Sequence, residues 1–342
     1  MAKCASLNDP ETLVLPLQDC SEERRVEVGP KALGLYNLLK AGATVPSGFC
    51  ITTSAIKHFL YHDSALYGSI QSLEQEPPGD TDVGRAQELY LKIRKGIVES
   101  PLDESLSNQI SDAYHKLILS GGKLVAVRPS TIAEGTVPAS SAGRHGTMLN
   151  ISSEQDLIGA VKAIWANHYA ADATVGKELG AHEKSPGVAV IFQTMICAAK
   201  SGVMFTANPT TMDRSTALVE ATSRPGEAFT IGDPAHDQYF VNKVTLEIEK
   251  MVLPQGTDAS KPWMSQTEII RLVEVGKTVE KCLHRPQEIG WIAEATNAGE
   301  SDTRFFFIRS KPFPVPEGNK TPPGSNVFSF VTSAVNKRVK VS

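Results

Sequence analysis

Apolar residues recur along the chain with two alternating periods, and the switches between them outline the expected elements. Leu33, Tyr36 and Leu39 fall at helical spacing and stop at Gly42, so a helix should end there. Pro46 and Gly48 punctuate the start of a short strand carrying Phe49, Ile51, Thr52 and Thr53, after which Ser54 is placed to cap a helix through Leu60. A polar stretch with Gly and Pro at 71–82 reads as a loop, and two helical segments follow at 83–99 and 105–119. The β-branched run 124–127 should be a buried strand. Residues 128–146 carry Ser, Thr, Ala, Gly and Pro with little apolar periodicity, which predicts an ordered loop or lid.

The second half alternates in the same way. Leu157, Val161, Ile164 and Trp165 predict a helix over 154–179. Strands are expected at 188–197, 202–207, 216–220, 228–231 and 239–241, then an amphipathic helix at 267–282. Residues 289–294 and 304–308 should close the fold as an antiparallel pair, and the proline-containing stretch 313–342 should be extended.

Length and composition narrow the class. At 342 residues the chain exceeds one ordinary core, so two lobes sharing a cleft are expected. Its 41% hydrophobic and 21% charged residues are those of a globular protein. Lys plus Arg number 34 against 38 Asp plus Glu, without the basic excess that a nucleic-acid partner calls for. The five cysteines are scattered with no CxxC spacing, which disfavours a disulfide framework or a zinc site. No apolar run reaches the ~20 residues of a membrane span, and residues 1–12 read as a polar leader. A cytoplasmic protein without membrane partners is the expectation.

The residues at the element junctions carry more. Val28-Gly29-Pro30-Lys31 with Val45-Pro46-Ser47-Gly48-Phe49 resembles the opening of the ATP-binding module shared by pyruvate phosphate dikinase, phosphoenolpyruvate synthase and rifampicin phosphotransferase. Val125-Ala126-Val127-Arg128-Pro129-Ser130, the loop Ala139-Ser140-Ser141-Ala142-Gly143 with Thr147, Gln193-Thr194-Met195, and Gly202 to Pro209 resemble later motifs of that module in the same order. The resemblance covers about residues 26–312. It implies an α+β ATP-grasp fold of two lobes with a cleft between them. The first lobe would span 1–190 with the lid loop 128–147, the second 191–318, and a tail 319–342.

It also implies roles. Lys31 and Arg128 would meet the triphosphate, with Gly143 and Thr147 contributing backbone groups of the lid. Gln193, Met195 and Ile196 would meet the adenine, and Glu220 and Glu227 would be its adenosine-side and cleft carboxylates. Arg309, Lys311 and His145 are the remaining catalytic candidates, His145 as an acid or base. ATP is therefore the implied cofactor, with a small-molecule substrate and a phosphocarrier in trans as the implied partners.

Departures from the pattern change the chemistry. Where the family writes Pro-Gln-Asp-Ile-Glu-Trp with a metal-binding Glu, this chain has Pro286-Gln287-Glu288-Ile289-Gly290-Trp291. Where the family's closing strand has a Gln that assists the metal, Arg309 stands, followed by Ser310 and Lys311. Arg supplies no oxygen ligand, so the expected Mg²⁺ site does not carry over, and the metal ligands stay unassigned. Strand alternation puts Glu288 and Glu294 on the face of Gly290, from which either could substitute. Three readings stay open: an ATP-dependent phosphotransferase, a repurposed fold acting as a metal-independent cyclase, isomerase or lyase with Lys31, Arg128, Arg144, Arg309 and Lys311 as an anion pocket, and a silent nucleotide-binding protein.

Overall fold

The computed structural model describes residues 12–74, 83–131, 146–169, 187–223, 236–254, 262–294 and 303–313. The chain divides into two compact units, residues 1–33 with 47–195 and residues 34–46 with 196–342. The first unit thus runs five residues beyond the expected limit of 190, and segment 34–46 groups with the second.

In the first unit, strands β1 (Val14–Pro16), β2 (Gly48–Ile51), β3 (Val125–Thr131), β4 (Met148–Ile151) and β5 (Val188–Thr194) form an antiparallel sheet of order β1-β2-β5-β3-β4. Helices α2 (Thr53–His62), α3 (Ser64–Glu74), α4 (Val83–Glu99), α5 (Glu104–Leu119) and α6 (Glu154–His168) supply its apolar cover. Their inward residues, among them Phe59, Ile93, Ile97, Ile110 and Trp165, join Ile51, Val127, Val190 and Phe192 of the sheet in one core. Phe49 stacks on Phe192 at 4.7 Å, and Phe59 lies 5.4 Å from Trp165. Truncating Trp165 would cost about 3–5 kcal/mol.

Several expectations are corrected here. Thr52, not Ser54, stands at the N-cap of α2, and the helix runs on to His62. Strand β3 does not stop at Val127: Arg128 to Thr131 continue it, paired with Ile191 back to Val188 on β5. Pro129 is tolerated within it because β4 pairs only with Val125 and Val127, so little is lost by its missing N–H. Helix α6, capped by the Ser153 hydroxyl accepting from Asp156 N at 3.1 Å, runs to His168 with Tyr169 as its C-cap, and the rest of the expected stretch, 170–179, lies outside the described residues. The segment 132–145, most of the expected lid, lies outside the described residues, as do the strand expected at 228–231 and the tail from 314.

In the second unit, β6 (Ala198–Phe205), β7 (Thr216–Thr222), β8 (Asp237–Asn242), β9 (Ile248–Val252), β10 (Gln287–Glu294) and β11 (Phe305–Pro312) form an antiparallel sheet of order β11-β10-β6-β7-β8-β9. Helix α7 (Gln266–Leu283) covers one face. Its start is a complete capping box, in which the Ser265 hydroxyl accepts from Glu268 N and the Glu268 carboxylate accepts from Ser265 N. Lys200 Nζ reaches both Glu268 oxygens at 2.9 Å, and Thr303 Oγ1 donates to one at 2.8 Å. Burial works to raise the Glu268 carboxyl, but the Ser265 amide, Lys200 and Thr303 outweigh it and hold it below the ordinary glutamate range.

The motif from Gly202 onward is explained by packing. A Cβ at Gly202 would collide with the Glu220 carbonyl oxygen and would lie 2.7 Å from Trp291 Cε2, so only glycine lets β6, β7 and the buried indole meet. Asn208 Oδ1 accepts from Thr210 N and Thr211 N at 2.9 and 3.2 Å, forming the turn that ends the motif.

Candidate functional site

Two groups of side chains answer to the sequence candidates, one in each unit. In the first unit the helical run α1 (Arg25–Lys40), whose residues from Gly34 onward belong to the second unit, is broken at Gly29 by φ +73° and ψ 170°. Pro30 therefore opens a fresh helical start, a position where its missing N–H costs nothing. The Ser130 hydroxyl of β3 meets that start, accepting from Lys31 N at 3.2 Å and Ala32 N at 3.4 Å. Lys31 Nζ donates to the Pro129 carbonyl at 3.0 Å. A Cβ on Gly29 would stand 2.5 Å from Ser130 Oγ and 2.6 Å from its carbonyl oxygen, which fixes glycine there. Lys31 and the strand bearing Arg128 are thus brought together at a helix N-terminus, an arrangement suited to anions. Arg128 itself is half-buried within β3.

Gln193 on β5 faces Gly48 of β2 and Ala126 of β3, two small neighbours in register with it. Its side chain is only 3% exposed, and neither amide atom has a hydrogen-bond partner among the described residues. A buried amide left without partners costs about 1–3 kcal/mol, so a ligand offering one donor and one acceptor would relieve it. An adenine edge offers both. Met195 is half-buried and its Sδ accepts from Asn150 N at 3.1 Å, while Ile196 is the first residue of this segment assigned to the second unit. Thr147 is exposed just before β4; Gly143 and His145 lie outside the described residues.

In the second unit Glu220 of β7 is buried, and its Oε1 accepts from Gln238 Nε2 of β8 at 2.8 Å. Glu227 lies outside the described residues. The β10–β11 register sets Glu288 opposite Lys311 and Gly290 opposite Arg309. Arg309 Nη2 reaches Glu288 Oε1 at 2.6 Å and Lys311 Nζ reaches Oε2 at 2.9 Å, with the Glu288 side chain 5% exposed. Sequence alone did not reveal this cluster, because it depends on cross-strand register. It takes up much of the cationic excess that Arg309 and Lys311 implied, and it occupies the carboxylate that could have replaced the missing metal ligand. These residues do not fit Mg²⁺: Gly290 offers no side chain, Arg309 no oxygen, and Glu288 is engaged by two cations. Beside them Gln287 has a structural part, accepting from Ser310 Oγ at 3.0 Å and donating to Arg285 O at 3.1 Å.

The known family of pyruvate phosphate dikinase AMP/ATP-binding domains matches residues 25–323. The chain belongs to that family. Its described α+β organisation agrees with the ATP-grasp fold that the motifs implied. Rifampicin phosphotransferase of Streptomyces sviceus is 30% identical over 334 residues, spanning 91% of this chain and 37% of that protein. Phosphoenolpyruvate synthase of Aeropyrum pernix is 31% identical over 292 residues, spanning 82% of this chain and 35% of that protein. The chain therefore corresponds to little more than a third of these relatives' length. Among solved structures, D-alanyl-alanine synthetase A of Vibrio cholerae aligns over 69% of this chain and 56% of its own at 9% identity, but a TM-score of 0.29 carries no argument about the fold. No helix among the described residues is long and apolar enough to cross a membrane.

Proposed function

We propose that this chain binds ATP as the nucleotide-binding part of a phosphotransfer reaction whose acceptor is a small molecule or a phosphocarrier. The buried, unpartnered amide of Gln193 carries the nucleotide reading, because adenine supplies the donor and acceptor that it lacks. Lys31, beside Ser130 at a helix start, supports a phosphate role for that turn, with Arg128 on the adjoining strand. Membership of the family of pyruvate phosphate dikinase AMP/ATP-binding domains, with a relative named as a phosphotransferase, supports the phosphotransfer part of the reading. The test is calorimetric titration of the full chain with ATP and GTP, in Mg²⁺ and in EDTA. ATP should bind in preference to GTP, and Lys31→Ala should weaken binding by about 10-fold or more. Absence of ATP binding in both conditions, or equal affinity for GTP, would overturn it.

A second reading rests on the cluster of Glu288, Arg309 and Lys311. With the metal-ligand positions held by Gly290 and Arg309, the chain would act without Mg²⁺, either as a nucleotide sensor or in acid–base chemistry on an anionic metabolite. ATP binding without turnover, at any Mg²⁺ concentration and with candidate acceptors present, would favour it over phosphotransfer.

A further inference from the structure

The first unit contains a second group of chemistry-bearing side chains, outside the sequence candidates for the nucleotide site. His58 and His62 are four residues apart on α2, so both rings project from one side of the helix. Their centroids lie 4.4 Å apart. Facing them is Asp103, the N-cap of α5, whose Oδ1 accepts from Leu106 N at 3.1 Å. Its other oxygen, Oδ2, stands 3.1 Å from His58 Nε2. Both of those atoms are buried, and the pair is an ion pair whenever the imidazole is protonated.

The same spacing suits two ligands of one ion when the imidazole is neutral and its Nε2 lone pair faces the carboxylate. With metal–nitrogen and metal–oxygen bonds of about 2.0–2.2 Å, two ligands of a tetrahedral ion stand roughly 3.3–3.5 Å apart. One ligand atom from each of His58, His62 and Asp103 lies within 4.8 Å of the other two, and His62 is exposed and able to move the remaining distance. Asp63, the next residue after His62, is engaged by Ser100 Oγ at 2.6 Å and by the amides of Ala65 and Leu66.

We propose that His58, His62 and Asp103 form a binding site for a borderline divalent transition metal such as Zn²⁺ or Co²⁺, tying the last turn of α2 to the start of α5. Two imidazoles and one carboxylate suit such ions and not Mg²⁺ or Ca²⁺, which select oxygen. Three protein ligands leave a fourth position for water. The site is separate from the residues assigned to nucleotide and does not rest on that reading.

The test uses tag-free full chain, stripped with a chelator and free of nucleotide. Co²⁺ binding is followed by visible absorption and Zn²⁺ binding by competition with a chromophoric chelator. One equivalent should bind and raise the melting temperature. His62→Ala, at an exposed position, should weaken binding by about 10–100-fold or more, the scale on which even supporting groups act. Asp103→Asn keeps an oxygen for Leu106 N but removes the charge, and it should weaken binding while α5 stays helical by circular dichroism. Failure of the wild-type chain to take up either metal in several-fold excess overturns the proposal. So does unchanged affinity in both variants, which would place the bound ion elsewhere.

Discussion

The turn at Gly29–Lys31 and the strand pair at Gly290–Arg309 are held by different physics. The turn is specified by shape: a positive φ at Gly29, a proline at the helix start and a serine hydroxyl against two backbone amides leave little room for another residue. The strand pair is specified by charge, with one buried carboxylate between two cations on the neighbouring strand. The first region keeps much of its family's pattern and the second departs from it. A backbone packed at contact distance tolerates few substitutes, whereas a charge cluster can be recomposed when one member brings another's counter-charge.

The largest effect should come from breaking the shape-specified region. Gly29→Ala forces a left-handed alanine against Ser130, and a loss of about 3 kcal/mol in denaturant unfolding is expected; a change below about 0.5 kcal/mol would mean that the turn relaxes freely. Next, the paired substitution Gly290→Glu with Arg309→Gln rebuilds the family's ligand set. A Cβ at Gly290 would meet Arg309 Cβ at 3.4 Å, an ordinary contact, so the backbone should accept it. Mg²⁺ should then tighten ATP binding by about 10-fold where it does little in the parent. An unchanged Mg²⁺ response would show that charge at these positions does not control the metal. Ser130→Ala removes the acceptor for Lys31 N and Ala32 N and should cost about 1 kcal/mol, as loss of a helix cap does.

Acid should loosen a third, charge-held contact in the second unit before it touches the Gly29 turn. Glu268, in the second unit, has its carboxyl lowered in the folded state, so its contribution is present above the unfolded value and fades as pH falls through the folded one. Below about pH 4.5, hydrogen exchange around α7 and β6 should quicken before the Gly29 turn opens. Simultaneous opening would contradict a shape-held turn.

Much of this was legible in the sequence where side chains speak for themselves. The helices at 83–99 and 267–282, the strands β5 to β8 and the closing pair β10–β11 follow from periodicity. Strands β1, β4 and β9 did not, being three to five residues long, with β1 and β4 at the ends of one sheet and β9 at the end of the other. Residues 128–131 read as the start of a loop, yet β3 continues through them, Pro129 included, because they pair with β5. Lys31, Arg128 and Gln193 were singled out as candidates from motifs, and Gly290 and Arg309 from their departures. That Glu288 lies between Arg309 and Lys311 was hidden, since only the register sets residue 288 against 311.

The path of the chain between its compact units limits how the protein can be divided. It leaves the first unit after Leu33, returns at Ser47 and leaves again after Met195. Within the second unit, Phe307 N donates to Thr44 O at 2.8 Å, joining the early segment to β11. A fragment ended at 195 would carry 34–46 away from the strand it bonds, and one begun at 196 would leave β11 without that cover. Neither unit is a contiguous piece of gene. Expression of separate halves should therefore give poorly behaved fragments, whereas mixing the two fragments could restore the fold by complementation.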